Sequence, residues 1–239
     1  MSRTVITDTF GPIVLWAVFV LMFAAAACQG PRQEEQAQIP EEEAVRPEPE
    51  VLKFLDTLFA YGQQHDMYNV PPSDGRFLRL LAASSGARRA LEIGSSNGLS
   101  AIWIGLGLKE TGGRLITIEI DHDKAQQAKE NVRKVGMEGI IEVIEGDAFK
   151  VIPKLEGTFD FIFLDAWKED YKRFFDIFYP KVEKGGVIAA HNAVLMANYM
   201  QDYLDAVNND PDLLTVIAQT GSDGFAVSYK KKRSLREEP

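Results

Sequence analysis

From Val51 onward the chain alternates between two hydrophobic periods. In VLKFLDTLFAYGQQ (51–64) apolar residues fall three and four apart, the spacing of one helix face. NVPPSDGRFLRLLAAS (69–84) opens as a proline turn and continues as a helix, with Ser73 as its expected cap. RALEIG (89–94) predicts a short buried strand, and LSAIWIGLGLKE (99–110) a helix. RLITIEI (114–120) predicts a second strand, followed by HDKAQQAKENVRKVG (122–136), a helix closed by Gly136. IIEVIEG (140–146), FDFIFLD (159–165) and GGVIAAH (185–191) predict three more strands, each followed by a helical stretch. LLTVIAQT and FAVSYKKK, either side of a GSDG turn, predict an antiparallel hairpin. Strands alternating with helices imply an α/β fold with a doubly wound, mostly parallel sheet of seven strands.

The first 50 residues follow neither period. Ile13 to Cys28 form one unbroken apolar run, IVLWAVFVLMFAAAAC, with no charge between Asp8 and Arg32. Its length lies between a signal-peptide core and a membrane span. Ala25, Ala26 and Ala27 precede Cys28, which resembles a bacterial lipoprotein signal whose cleavage leaves Cys28 as a lipid-bearing terminus. An uncleaved single-span anchor is a second reading of residues 1–28, and a mere hydrophobic tail a third. All three place a membrane nearby, and the expectation is a membrane-associated protein of the bacterial cell envelope. Residues 29–50 carry four prolines and seven glutamates and cannot form a core, so they read as a disordered linker. The folded domain is expected over 51–239.

Composition narrows the function. The first 50 residues hold 3 basic and 8 acidic side chains, against 23 and 27 in the remainder. The body therefore carries no basic field, which argues against nucleic acid as a partner. Cys28 is the only cysteine, so no internal disulfide framework exists.

Ligands on doubly wound sheets bind beyond the carboxyl ends of the strands, so chemistry is expected there. After the first strand comes Glu92-Ile93-Gly94-Ser95-Ser96-Asn97-Gly98-Leu99-Ser100. Gly94 allows a tight turn, and Gly98 is expected to let a ligand approach the next helix. Ser96 occupies the second glycine position of G-x-G-x-x-G, so the dinucleotide fingerprint is absent. A nucleoside without a pyrophosphate fits better. After the second strand, Glu119 stands where an acid accepts hydrogen bonds from ribose hydroxyls. The third strand ends in Gly146-Asp147-Ala148, where the acid is placed to meet an adenine amino group.

E-I-G-S-S-N-G-L-S, T-I-E-I-D, E-G-D-A and F-L-D-A-W-K-E-D-Y together resemble the class I S-adenosylmethionine-dependent O-methyltransferases, of the catechol and caffeoyl-CoA type. The resemblance runs over roughly 51–232 and implies a Rossmann-like sheet. It also implies methyl transfer from S-adenosylmethionine to a hydroxyl of a small, phenolic or catechol-like acceptor. By position it implies Val70 at the methionine part, Glu92 and Gly94 at its amino acid end, and Ser96 and Ser100 at the carboxylate. Glu119 would hold the ribose, Asp147 and Ala148 would border the adenine, and Trp167 would lie against it. In this family an aspartate after the fourth strand and an Asp-Asn pair after the fifth hold a divalent cation, and a lysine takes the acceptor's proton. Asp165 and Lys168 match in D-A-W-K. The pair after the fifth strand reads His191-Asn192, so the implied ligands are Asp165, His191 and Asn192. Imidazole shifts the metal preference away from magnesium and calcium. A membrane-tethered, catalytically impaired nucleoside-binding protein of the same fold is the alternative, and a homodimer is left open. Residues 213–222 contain no acid to grip a second hydroxyl, which weakens strict catechol specificity. His65 and His122 read as surface residues, Phe174, Phe175 and Phe178 as helix packing, and Lys230 to Arg233 as a solvated strand end.

Overall fold

The computed structural model describes residues 48–65 and 67–233. The apolar run, the expected Cys28 modification and most of the expected linker lie outside the described residues. Among the described residues no helix is long and apolar enough to cross a membrane.

The elements follow one another as α1 (Glu48–Gln64), α2 (Pro72–Ser84), β1 (Arg89–Ile93), α3 (Leu99–Thr111), β2 (Arg114–Glu119), α4 (His122–Lys134), β3 (Ile141–Glu145), α5 (Ala148–Val151), β4 (Phe159–Leu164), α6 (Tyr171–Phe178), β5 (Val182–His191), α7 (Gln201–Asn209), β6 (Leu213–Ala218) and β7 (Phe225–Lys230). The sheet order is β3-β2-β1-β4-β5-β7-β6. The first five strands run parallel, and β7 inserts antiparallel between β5 and β6. This is the expected doubly wound sheet of seven strands with its C-terminal hairpin.

Alternation along each strand builds two cores. In β4, Phe161 and Phe163 pack with α1, α2 and α3, whereas Ile162 and Leu164 pack with α6 and α7. Phe174, Phe175 and Phe178 bury one face of α6 in that second core, as the sequence leads one to expect.

Several expectations shift. Helix α1 starts at Glu48, so the last three residues assigned to the linker are helical; Glu48 and Glu50 sit in the first turn, where they complement the helix dipole. Ser73 is not the cap of α2. Pro71 takes the cap position, and the Ser73 hydroxyl donates instead to Asp74 Oδ1 at 3.1 Å. Strand β5 begins at Val182, three residues before GGVIAAH, and a register irregularity against β4 absorbs the extra length. Lys230 is no solvated end: its ammonium donates to the carbonyls of Tyr179 and Val182 and sits over the Tyr179 ring.

Candidate functional site

Register places the site. Ile118, Ile93, Leu164 and Ala190 stand in one row across β2, β1, β4 and β5. The next residue along each strand is Glu119, Gly94, Asp165 and His191. Four of the residues singled out in the sequence are therefore neighbours at the carboxyl edge, beside the point where strand order reverses.

The β1–α3 turn is shaped by backbone. Gly94 has φ +92°, and a Cβ there would run into the carbonyl oxygen of Asp165. Glycine is needed so that β1 and β4 can end side by side. Gly98 does not open a ligand path as expected: a Cβ on it would lie 3.1 Å from Ala128 Cα, so its bare face lets α4 close in. Glu119 ties the turn down. Its Oε2 accepts from the Ser96 N–H at 2.8 Å and its Oε1 from the Asp121 N–H at 3.0 Å. Each oxygen keeps a lone pair for a further donor.

Around this turn buried polar atoms lack partners. Both carboxylate oxygens of Glu92, the hydroxyls of Ser95, Ser96 and Thr117, and the Asn97 side-chain oxygen have none. Burial pushes the Glu92 carboxyl up to about 8, against weaker opposing effects of the Ser100 and Thr117 hydroxyls. Buried groups left this way cost about 1–3 kcal/mol each, and a polar ligand with an ammonium and a carboxylate would repay them. Ser100 and Val70 are buried. Asp147 caps α5 by accepting from the Phe149 N–H at 3.0 Å, and it pairs with Lys150. Ala148 is buried, while Trp167 is 79% exposed beyond β4.

The β4–β5 side is built from ion pairs. The Lys168 ammonium donates to Asp165 Oδ1 at 2.8 Å and to the Ala166 carbonyl at 2.9 Å. His191 lies between two carboxylates. Its Nε2 is 2.9 Å from Asp74 Oδ2, and its Nδ1 is 3.3 Å from Asp165 Oδ2. The second contact is an ion-pair distance without hydrogen-bond alignment, since Nδ1 has no hydrogen-bond partner. Burial opposes charge on this imidazole, but Asp165 and Asp74 outweigh it and bring the pKa to about 9. Burial likewise opposes charge on Asp165, and His191 and Lys168 outweigh it and hold the carboxyl at about 2. Asp74 is fully buried and also accepts from the Thr220 hydroxyl at 2.6 Å.

Both oxygens of Asp165 thus face cationic side chains, so the trio of Asp165, His191 and Asn192 does not offer a hard cation the free carboxylates it requires. Asn192 is half-buried, with its backbone in the left-handed region at φ 61°. Sequence reasoning passed over Asp74, Thr220 and Asp223. Asp74 comes from α2, 117 residues before His191, and Asp223 stands one position past the segment read as free of acids. The only sequence signal for the two acids was an aspartate before glycine, in SDG at the start of α2 and in the GSDG turn. His65 and His122 are surface residues, paired with the Tyr61 carbonyl and with Glu145.

A sheet of this order, with an acid after β2 and a lysine–aspartate pair after β4, defines the class of α/β methyltransferases. The family profile described as O-methyltransferase matches residues 41–215. A catechol O-methyltransferase of Mycobacterium tuberculosis is 31% identical over 175 residues, covering 66% of this chain and 79% of that protein. A caffeoyl-CoA O-methyltransferase of Populus kitakamiensis is 32% identical over 154 residues, 62% of this chain and 65% of that one. The crystal structure of a Bacillus cereus O-methyltransferase in complex with SAH superposes with a TM-score of 0.66 at 27% identity, covering 75% of this chain and 91% of that one. The chain belongs to the O-methyltransferase family, and with it to the transferases that move a methyl group from S-adenosylmethionine.

Proposed function

We propose that this protein binds S-adenosylmethionine at the β1–β2 side of the edge and methylates a hydroxyl of a small phenolic or catechol-like acceptor at the β4–β5 side. The observation that carries the reading is the ring of partnerless buried polar atoms around Glu92, Ser95, Ser96 and Asn97, next to a half-satisfied Glu119. The B. cereus structure, held with SAH, supports a nucleoside–amino acid ligand in this fold.

S-adenosylmethionine supplies an electrophilic methyl on a sulfonium. Glu119 accepts from the two ribose hydroxyls, and Glu92 with the serine hydroxyls holds the ammonium and carboxylate end. Val70 lines the methionine part, and Asp147, Ala148 and Trp167 flank the adenine. Lys168, once it has given up its own proton to solvent, takes the proton of the acceptor hydroxyl, whose oxygen then forms the new C–O bond as the C–S bond breaks. Alignment of the two reactants supplies up to ~7–11 kcal/mol. Proton transfer to Lys168 adds roughly 10²–10⁴-fold. We further propose that the N-terminal apolar run holds this domain at a membrane, through Cys28 or as an uncleaved helix.

The test is methyl transfer from S-adenosylmethionine to a panel of catechols and phenols, followed by release of the demethylated nucleoside. Turnover that Lys168→Ala abolishes supports the reading. Tight nucleoside binding with no turnover on any acceptor would leave the impaired binding protein, a reading that His191 in place of the family aspartate favours.

A further inference from the structure

His191 also belongs to a second constellation. Asp74, His191 and Asp223 each offer one ligand atom, and these three atoms lie within 4.8 Å of one another. They come from the start of α2, the end of β5 and the turn between β6 and β7, so only the folded chain assembles them.

Each ligand is held from behind and turned inward. Asp74 Oδ1 accepts from Ser73 and Thr220, while its Oδ2 lies 2.9 Å from His191 Nε2. Asp223 Oδ1 accepts from Ser222 at 3.0 Å, while its Oδ2 lies 3.8 Å from the same Nε2. Behind the imidazole, Nδ1 faces Asp165 Oδ2 at 3.3 Å, and Lys168 fixes the other oxygen of Asp165. A carboxylate on the far nitrogen of a histidine is the support that ligating histidines use to set tautomer and orientation. The turn carrying Asp223 is docked by its own carbonyl, which accepts from the Val194 and Leu195 N–H groups. A Cβ on Gly224 would strike the Val194 side chain, so this close docking needs glycine.

We propose that Asp74, His191 and Asp223 form a site for a divalent first-row transition metal, with Asp165 orienting the imidazole from outside the coordination sphere. Bond lengths of about 2.0–2.2 Å set ligand atoms roughly 3–3.5 Å apart; Asp74 Oδ2 and His191 Nε2 are already near that spacing, and Asp223 closes in from the 3.8 Å it keeps from Nε2. Metal binding expels the imidazole proton, after which two carboxylates and a neutral imidazole balance a dication. The mixed oxygen and nitrogen set suits manganese, iron or zinc better than magnesium. Three protein ligands leave positions open for water or an acceptor oxygen, the pattern of catalytic rather than structural sites. Asp74 and His191 are buried and the Phe225 ring packs on the imidazole, so the open positions face out past Asp223, the most exposed of the three. The site differs from the trio implied by resemblance, because it needs Asp223 and Asp74 and does not need Asn192.

The site stands independently of methyl transfer, and its test reads metal directly. The full chain is stripped with chelator and titrated calorimetrically with manganese(II) and zinc(II), alongside Asp223→Asn, Asp165→Asn and Asn192→Ala. Asp223 lies in a surface turn, so its variant is expected to fold, which circular dichroism checks. One equivalent binds the wild type, Asp223→Asn weakens it by more than roughly tenfold, and Asp165→Asn by roughly 10–100-fold as an outer partner does. Asn192→Ala leaves affinity unchanged. No saturable binding to the wild type, or undiminished binding to folded Asp223→Asn, would overturn the proposal. So would loss in Asn192→Ala alone, which returns the metal to the family trio. Methyl transfer that fails while metal binding survives counts against the proposed function and leaves this site intact.

Discussion

On the β1–β2 side of the carboxyl edge, Glu92 and its neighbours are buried without partners; on the β4–β5 side, Lys168, Asp165, His191 and Asp74 are buried in an unbroken chain of ion pairs. Both sides carry buried ionisable groups, and the fold treats them oppositely. Glu92 has no counter-charge, so burial raises its pKa to about 8. Asp165 has two, so its pKa falls to about 2 despite burial. On the proposed function the unpaired side is the binding surface, because a ligand with a positive group and several donors would relieve it. The paired side is preorganised, because its charges are fixed before any ligand arrives, which is what electrostatic catalysis asks of a site.

The contrast predicts different failures. Removing Lys168 as Lys168→Ala should lower the rate of methyl transfer by roughly 10²–10⁴-fold while leaving nucleoside affinity intact. An equal loss in affinity, measured by calorimetry on the same variant, would dissolve the division of labour between the two sides.

Stability should divide the same way. His191→Ala leaves Asp74 and Asp165 buried without their shared cation, and breaking a buried pair costs about 3–5 kcal/mol. Denaturant unfolding in chelator should show that loss. Glu92→Gln, which resembles the protonated acid, should change stability far less at pH 7. Comparable losses in both variants would mean that Glu92 has a partner after all.

How far the sequence foretold this differs between the sides. The strands were legible because β1 to β5 are short apolar runs punctuated by glycine or acid, and the row Glu119, Gly94, Asp165, His191 followed from their ends. The β1–β2 groups were legible because they lie within one turn and one strand of each other. Asp74 and Asp223 were not, because pairing over 117 residues is decided by packing of α2 and the hairpin against β5, which no local pattern encodes. Gly98 misled for a related reason: an open backbone in a turn serves helix packing as readily as a ligand, and only the position of Ala128 decides. Ser73 was read as a cap because its residue type suits one, but Pro71 and Pro72 set the backbone and released the hydroxyl to Asp74.

A smaller effect sharpens the β1–β2 side. Glu119→Ala should weaken S-adenosylmethionine binding by roughly 1.5–3 kcal/mol, the range for hydrogen bonds to a charged group. Glu119→Gln keeps acceptors for Ser96 and Asp121 on one oxygen only, so it should lose less. If the two variants bind like the wild type, ribose recognition lies elsewhere.

The central claim is that Glu92 stays unpaired until the ligand's ammonium arrives. Its carboxyl rises from 4.5 to about 8 on folding, so its contribution to stability is fully present below about 4.5 and is lost as pH climbs through about 8. An ammonium beside it reverses that preference and expels the proton. Calorimetric titration of the full chain with S-adenosylmethionine, in two buffers of different ionisation enthalpy at pH 7 and alongside Glu92→Gln, reads this directly. The account predicts release of about one proton per ligand from the wild type and almost none from Glu92→Gln. Binding with no proton released at pH 7, or no binding at all, would contradict it.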